Sequence, residues 1–261
     1  VVRTRSQSAE ELNMELSMPP MKRKRWMVNN AMHSDDYLRY YFANPLKSSI
    51  PMIENICDRH FVALYGPRAS GKSTRVNTII KYLIKRGYIC NFITLEHVAT
   101  NENFWSSFGQ CLQRGGPKKY FDGCRNITSS EDFLAYFARG RWGNDDTDYD
   151  SLPRIILFID EFDRIRGLAE NQLNNFLDIL QGIKNSQPGT FIIYTIVVIG
   201  TFSIQHLDST STTSPFNNMW AFRNPMLTKS QVQEIYDDFA REWEINIEEA
   251  VINDIYQQTN G

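Results

Sequence analysis

Eight residues near the first quarter of the chain constrain its fold more than any other segment. They read Gly-Pro-Arg-Ala-Ser-Gly-Lys-Ser from Gly66 to Ser73, and they follow the short apolar run Phe61 to Tyr65. Apolar residues then recur with helical spacing, which predicts a strand, a glycine-rich turn and a helix in succession. Such a turn aims backbone N–H groups at phosphate, and a helix N-terminus favours the same anion.

Two side chains in this turn carry specific chemistry. Lys72 is predicted to place its charge against the β- and γ-phosphates of a nucleotide, and Ser73 to hold Mg²⁺ through its hydroxyl. A glycine-rich turn that only links a strand to a helix is the alternative interpretation.

A second segment ends in two acids. The apolar run Ile155 to Ile159 predicts a central strand, and Asp160 and Glu161 follow it. Asp160 is expected to hold Mg²⁺ and Glu161 to polarise an attacking water as general base. The alternative is a strand that ends in a solvated acidic turn.

A third segment joins a buried strand to a hydroxyl. Val197 to Gly200 leads directly into Thr201, which is predicted to reach the γ-phosphate or the attacking water. A threonine that simply starts a turn explains the same pattern nearly as well.

The order of strands and helices indicates an α/β fold with a parallel sheet and helices on both faces. Two further helices near the end of the sequence have no strand between them, and they indicate a small helical subdomain. The predicted strands are Phe61–Tyr65, Tyr88–Leu95, Ile155–Ile159 and Phe191–Ile199; the predicted helices are Ser73–Lys85, Asn101–Leu112, Ser130–Ala138, Ala169–Ile183, Lys229–Trp243 and Glu248–Gln257. Gly115 to Lys119 and the acidic stretch Asn144 to Ser151 are expected to be loops.

Composition excludes several classes of protein. With 28 basic and 30 acidic residues the net charge is −2, so a uniformly polybasic nucleic-acid binder is ruled out. The four cysteines are dispersed, which favours free thiols over a zinc site. No signal peptide and no stretch long enough to span a bilayer is apparent, so we expect no membrane partner.

The region before Pro51 differs in character from the rest. A short helical pattern covers Asp35 to Phe42, and the basic run Lys22 to Arg25 stands directly before Trp26. The run is compatible with a solvated charged surface, a nuclear-import signal or a nucleic-acid patch. Trp26 is expected either to stack on a base or to anchor this extension.

These motifs together resemble those of an AAA+-type P-loop ATPase, on the branch shared by origin-recognition ATPases and STAND signalling NTPases. Walker A corresponds to GPRASGKST, Walker B to IILFIDEFD with Asp163 as a second acid, and Thr201 to the sensor-1 position. Phe222 to Trp243 resembles the start of the helical lid. The segment YGPRASGKSTR is also similar to the corresponding segment in the ATPase modules of Crinkler-type effectors, which carry a C-terminal nuclease-like domain.

The resemblance implies a sheet of order 5-1-4-3-2 and ATP with Mg²⁺ bound between the core and the lid. Nucleotide contacts are implied for every residue of Walker A: Gly66, Pro67, Arg68, Ala69, Ser70, Gly71, Lys72, Ser73 and Thr74. The catalytic set is Lys72, Asp160, Glu161 and Thr201, and the metal set is Ser73 and Asp160. Arg164, Arg166 and Arg223 are candidates for an arginine finger, although each is typical of a solvated surface arginine. Arg68 is a candidate for a contact with nucleotide or a neighbouring subunit.

We therefore divide the chain into an N-terminal extension (1–50), a P-loop ATPase core (51–222) and an incomplete helical lid (223–261), as a fragment of a longer protein.

The leading hypothesis is a Mg²⁺-dependent ATPase that regulates or powers an attached domain. A nucleotide-dependent switch with negligible turnover is the alternative, and a kinase is disfavoured by the Asp160–Glu161 pair. DNA binding and self-association are compatible with the sequence. The expected location is the cytoplasm or nucleus, or a host cell if the protein is a secreted effector.

Overall fold

The computed structural model of the 261-residue chain describes residues 23–27, 31–32, 36–96, 98, 103–144, 146–148, 151–206 and 219–259. Its contacts divide the chain into two compact units. One unit comprises residues 44–226, and the other joins the described part of residues 1–43 to the C-terminal residues from Leu227 onwards. The described residues before Asn44 thus group with the C-terminal residues, whereas residues 44–50 belong to the larger unit.

The larger unit is built on a five-stranded sheet in which every pairing is parallel. The strands are β1 (Val62–Tyr65), β2 (Ile89–Thr94), β3 (Ile155–Asp160), β4 (Ile193–Gly200) and β5 (Trp220–Arg223). Their spatial order is β2-β3-β4-β1-β5, which is 5-1-4-3-2 in the opposite direction. The predicted fold class, a parallel-sheet α/β core of the P-loop NTPase type, is confirmed.

Alternate residues of the central strands enter two separate hydrophobic cores, because successive side chains of a strand point to opposite faces. On one face, Ile156, Phe158, Val197 and Ile199 pack with apolar side chains of two helices. On the other, Leu157, Ile159 and Val198 pack with a phenylalanine-rich cluster from further helices. All six residues of β3 except Asp160 are buried, which is why this strand reads as a continuous apolar run.

Eight helices flank or follow the strands within the described residues. They are α1 (Ile50–Cys57), α2 (Lys72–Ile84), α3 (Phe104–Gly115), α4 (Lys118–Phe121), α5 (Ser130–Phe137), α6 (Glu170–Asn185), α7 (Lys229–Trp243) and α8 (Glu249–Thr259). Helices α1 and α2 cover the first face of the sheet, and α3, α5 and α6 cover the second. None of the helices in these described ranges combines the length and the apolar character that a membrane crossing requires.

Several local predictions were wrong. Helix α1 was not predicted from the sequence. Its Pro51 lies in the first turn, where proline is tolerated because its missing N–H has no helical partner to lose. The predicted loop around Lys119 instead contains the short helix α4. Asp36–Leu38 forms a single 3-10 turn, since Tyr40 pairs with Arg25 in an isolated bridge. Strand β5 escaped detection because its burial alternates and it has only four residues.

The smaller unit is held by contacts between the N-terminal segment and α7. We call these residues the N-terminal clasp: Lys24, Trp26, Tyr41, Tyr236, Asp238, Phe239, Glu242 and Trp243. The Trp26 ring lies 4.9 Å from that of Tyr41, 5.4 Å from Tyr236 and 5.7 Å from Phe239, between ring centroids. Of the two roles considered for Trp26, anchoring the extension is the one that the structure shows.

Charged groups reinforce the clasp. Lys24 forms an ion pair with Asp238, with 2.5 Å between Nζ and Oδ2, and its backbone N–H donates to Glu242. The Tyr41 hydroxyl donates to Glu242 Oε2 at 2.7 Å and accepts from Trp243 Nε1 at 3.0 Å. The Arg23 guanidinium lies 4.3 Å from the Trp243 ring. Lys22 lies outside the described residues, but the rest of the basic run is thus partly engaged within its own unit.

Candidate functional site

The predicted phosphate loop joins β1 to α2 at the carboxyl edge of the sheet. Gly71, at the N-cap of α2, has φ +79°, and Ala69 has φ +58°. Both values lie in the left-handed region, which Gly71 adopts freely and Ala69 adopts at a cost. Pro67, Arg68 and Ala69 are exposed at the tip of the loop, whereas Gly66 is buried and Ser70, Ser73 and Thr74 are half-buried. The N-cap residue of α2, Gly71, has no side chain to cap the helix, and a helix N-terminus of this kind favours an anion.

Lys72 folds across this loop. Its Nζ donates to the carbonyls of Gly66 and Pro67, at 3.1 Å and 2.6 Å. Burial lowers the pKa of Lys72, and the nearby carboxylates of Asp160, Glu161 and Asp163 offset part of that shift. A partly desolvated cation interacts with an anion more strongly than a hydrated one does, so this lysine is well placed for phosphate.

The segments predicted to be Walker A and Walker B meet directly. The Ser73 hydroxyl donates to Asp160 Oδ2 across 3.1 Å, although the two residues are 87 positions apart. Burial raises the pKa of Asp160, and hydrogen bonds from the Glu161 backbone and from Ser73 act in the opposite direction. The predicted metal pair therefore exists as a hydroxyl and a carboxylate oxygen side by side, which are hard donors of the kind that Mg²⁺ prefers.

Glu161 marks an abrupt change of direction after β3. It has φ +53°, an uncommon conformation for a residue with a side chain, and the 3-10 helix Phe162–Gly167 follows it at once. Its backbone N–H donates to Asp160 Oδ1 at 2.8 Å. Its side chain is 41% exposed and lies 3.6 Å from Nε of Arg164. The turn thus projects Glu161 away from the buried strand while holding Asp160 in place.

Thr201 is tied to Asp163. Its hydroxyl donates to Asp163 Oδ2 at 3.3 Å and shares a 2.8 Å hydrogen bond with Ser203. Gly200 allows this approach, because a Cβ there would lie only 2.8 Å from Asp163 Oδ1. That Oδ1 atom is buried and has no hydrogen-bond partner among the described residues. Asp163, which follows Asp160 by three residues in the chain, therefore links the segment after β3 to the segment after β4.

The arginines considered as fingers have different surroundings. Arg164 lies beside Glu161, as described above, and Arg166 donates to the Ser203 carbonyl at 2.8 Å. The Arg223 guanidinium lies 5.6 Å from the Phe202 ring. Arg68 is exposed on the phosphate loop. Arg166 is thus engaged in holding the segment after β4.

Two polar residues that the sequence analysis did not assign are buried behind the loop. Arg75 is 5% exposed and Asn224 is 3% exposed. The Arg75 Nε donates to Asn224 Oδ1 at 2.6 Å, and Asn224 Nδ2 donates to the Ser70 carbonyl at 2.5 Å. A signal for Arg75 was present: it stands four and eight residues before Ile79 and Leu83, on the buried face of α2. Nothing in the sequence pointed to Asn224.

The residues of this edge fit a magnesium nucleotide. The loop offers uncapped N–H groups and an ammonium for phosphate, and Ser73 with Asp160 offers two oxygen ligands for the metal. Phosphate oxygens would complete the coordination, as is usual for Mg²⁺ in nucleotide sites.

Comparison with known proteins supports the fold rather than a family. No protein-family model matches the sequence, and no curated protein matches it significantly. Among solved structures, a Walker-type ATPase of Pyrococcus abyssi is similar over 88% of this chain and 66% of its own, with TM-score 0.62 and 15% identity. The ORC2 protein of Aeropyrum pernix, solved in ADPNP and ADP complexes, is similar over 82% and 54%, with TM-score 0.55 and 12% identity.

The chain thus spans less than two thirds of the length of these two proteins. At such low identity the likeness establishes architecture and leaves individual residue roles open. With its parallel 5-1-4-3-2 sheet and a loop between β1 and α2, the chain has the fold of the P-loop ATPases.

Proposed function

We propose that the chain binds ATP with Mg²⁺ at the phosphate loop and hydrolyses it. The observation that carries this proposal is the hydrogen bond between Ser73 and Asp160, which brings the two motifs together at one edge of the sheet. The ADPNP and ADP complexes of the structurally similar ORC2 protein support the choice of an adenine nucleotide.

Each residue has a distinct role in the proposed site. Lys72 and the backbone N–H groups between Gly66 and Thr74, except at Pro67, which has none, bind the phosphates, and Ser73 with Asp160 holds the metal. When bound, Mg²⁺ would neutralise part of the negative charge on the phosphate oxygens.

The remaining two acids, Glu161 and Asp163, act on the attacking water and on Thr201. Glu161 accepts a proton from the attacking water at its carboxylate, since its side chain extends from the turn rather than into the sheet. Asp163 accepts the single proton of the Thr201 hydroxyl, so the Thr201 oxygen is left to accept a hydrogen bond from the attacking water.

Replacement of the loop lysine tests the proposal. Lys72→Ala should abolish ATP binding by isothermal calorimetry, because the loop loses its point charge for the phosphates. Lys85→Ala changes an exposed lysine at the other end of α2 and should bind normally. If Lys72→Ala binds ATP as tightly as the wild type, the phosphate loop is not the nucleotide site.

A nucleotide-dependent switch with negligible turnover is the second candidate. The specific observation in its favour is the position of Arg164, 3.6 Å from Glu161, where it competes with water for the base. Phosphate release over hours, with Lys72→Ala as the background, separates the two: repeated turnovers reject the pure switch.

We place the chain in the AAA+ class, on the branch of origin-recognition and STAND ATPases, as a module that regulates or powers an attached effector domain. The Asp-Glu-x-Asp pattern ending at Asp163 and the likeness to the ORC2 fold support this placement. A Crinkler-type effector delivered into host cells, DNA binding and self-association belong to the same proposal. Mass measurement in solution with and without ATP, and DNA titration at several salt concentrations, test the last two.

A further inference from the structure

A buried arginine stands directly behind the phosphate loop. Arg75, on the first turns of α2, donates to Asn224 Oδ1, to the hydroxyls of Ser48 and Ser49, and to the Pro45 carbonyl, over distances of 2.6 to 3.2 Å. All four acceptors are neutral oxygens. Burial lowers the pKa of Arg75 to about 10, which leaves the guanidinium charged at neutral pH. A buried cation is costly to hold, so these hydrogen bonds are needed by the fold.

Asn224 sits between this arginine and the loop, and its amide orientation is fixed by its partners. The arginine can only donate, so the oxygen Oδ1 must face it; the Ser70 carbonyl can only accept, so the nitrogen Nδ2 must face the loop. The same Nδ2 lies 3.3 Å from the Ser70 hydroxyl. Neither a carboxylate nor an aliphatic side chain of the same size supplies both functions.

The backbone of Asn224 holds the other end of the loop. Its N–H donates to the carbonyl of Tyr65, the last residue of β1, at 2.7 Å. One residue thus fixes the loop on both sides of its tip, at Tyr65 and at Ser70. The fit is close, because a Cβ on Gly66 would lie 3.1 Å from the Asn224 Cβ.

We propose that Asn224 is a positioning residue that keeps the phosphate loop in its binding conformation from the end of β5. The inference rests on the proposed nucleotide-binding function and deepens it. Ala69 adopts a left-handed conformation that a free loop would leave, and the bond to the adjacent Ser70 carbonyl opposes that relaxation. A loop held in this way binds phosphate without first being ordered, so its affinity is higher.

Two substitutions separate the halves of the Asn224 side chain. Asn224→Ala removes both hydrogen bonds. Asn224→Asp keeps an acceptor for Arg75, as an ion pair, but loses the donor to Ser70. Ser49→Ala is the matched control, since it removes a different acceptor of Arg75 and leaves the loop contacts untouched. Each variant is compared with the wild type by thermal unfolding, by amide hydrogen exchange of residues 66–74 without nucleotide, and by ATP and ADP titration with Mg²⁺.

We expect Asn224→Ala and Asn224→Asp both to accelerate exchange in the loop and to raise the Kd for ATP and ADP about tenfold, the scale of one well-placed hydrogen bond. KM should rise with Kd while kcat changes little, because the bound phosphates are held equally before and during reaction. Asn224→Asp should unfold no earlier than the wild type. Ser49→Ala should unfold earlier and keep wild-type exchange and Kd.

Repeating the titrations at about 0.5 M salt, where the Debye length is a few ångströms, removes long-range repulsion by the new carboxylate. A defect of Asn224→Asp that persists in high salt supports loss of the donor. The proposal is overturned if Asn224→Asp restores wild-type Kd and loop exchange, or if Ser49→Ala loosens the loop as much as Asn224→Ala does. If the wild type binds no ATP, the proposed function fails, and the loop exchange rates alone decide the positioning role.

Discussion

Two basic segments of this chain are used in opposite ways. In the phosphate loop, Lys72 is partly buried among the carboxylates of Asp160, Glu161 and Asp163, and its direct hydrogen bonds go to neutral loop carbonyls. In the N-terminal clasp, Lys24 pairs directly with Asp238 while Trp26 packs among aromatic rings. The charge of Lys72 is thus destabilised by burial, whereas the charge of Lys24 is neutralised by an ion pair.

This difference indicates which charges serve binding and which serve folding. Burial lowers the pKa of Lys72 and raises the pKa of Asp160. Both shifts favour the neutral form of the side chain, so the folded state disfavours both charges. Sites preorganised for a ligand commonly carry such a cost. Changes at the site should therefore reduce function and spare or raise stability, whereas changes in the clasp should reduce stability.

The largest expected effect is on turnover. Glu161→Gln should lower the rate of ATP hydrolysis by roughly 10² to 10⁴, the usual contribution of a general base, because an amide cannot take a proton from water. ATP binding should persist, since Lys72 and the loop are unchanged. Phosphate release and calorimetric titration measure the two quantities. Glu170→Gln, an exposed acid at the start of α6, is the control. Wild-type turnover in Glu161→Gln would exclude Glu161 as the base.

The clasp should respond through stability. Trp26→Ala should destabilise the smaller unit by about 2 kcal/mol, because it removes the aromatic contacts with Tyr41, Tyr236 and Phe239. Trp26 as a residue is 45% exposed, which keeps the loss below that of a fully buried tryptophan. Amide exchange in α7 reports it directly. Exchange rates equal to those of the wild type would mean that these ring contacts do not hold the clasp.

A substitution in the candidate site should raise the free energy of unfolding rather than lower it. Asp160→Asn should stabilise the protein by about 1 kcal/mol at pH 7 without Mg²⁺, since a neutral amide avoids the cost of a buried carboxylate. Because the folded state raises the pKa of Asp160, the wild type gains stability as pH falls through this raised pKa towards the ordinary value of an aspartate. The advantage of the variant should therefore shrink in thermal unfolding experiments at lower pH. A variant less stable than the wild type at pH 7 would show that the carboxylate supports the fold.

The sequence predicted the parts of the molecule that local pattern determines. The spacing of glycines, Lys72 and Ser73 between an apolar run and a helical period located the phosphate loop, and the acids after β3 located its partner segment. The direct bond between Ser73 and Asp160 agrees with that analysis, although the roles of these residues stay predictions.

What escaped prediction depends on contacts between distant segments. Asn224 lies 149 positions from Arg75 and 154 from Ser70, and no local pattern connects them. The basic run near Trp26 gave an ambiguous signal, because a charge run specifies no partner by itself. Its partners on α7 lie more than 200 positions away. Strand β5 was too short for its alternation to be read.

The smallest expected effect tests the charge of the clasp alone. Lys24→Ala should lower stability by about 0.5 kcal/mol, because the pair with Asp238 is partly exposed and solvent weakens such pairs. The loss should diminish in high salt, which screens exposed charges. Lys229→Ala, which removes the more exposed pair with Glu249 in the same unit, is the control and should cost less. A loss of stability for Lys24→Ala as large as that for Trp26→Ala would mean that the ion pair contributes as much to the clasp as the aromatic packing does. The phosphate loop and the clasp would then differ only in how their lysine charges are compensated.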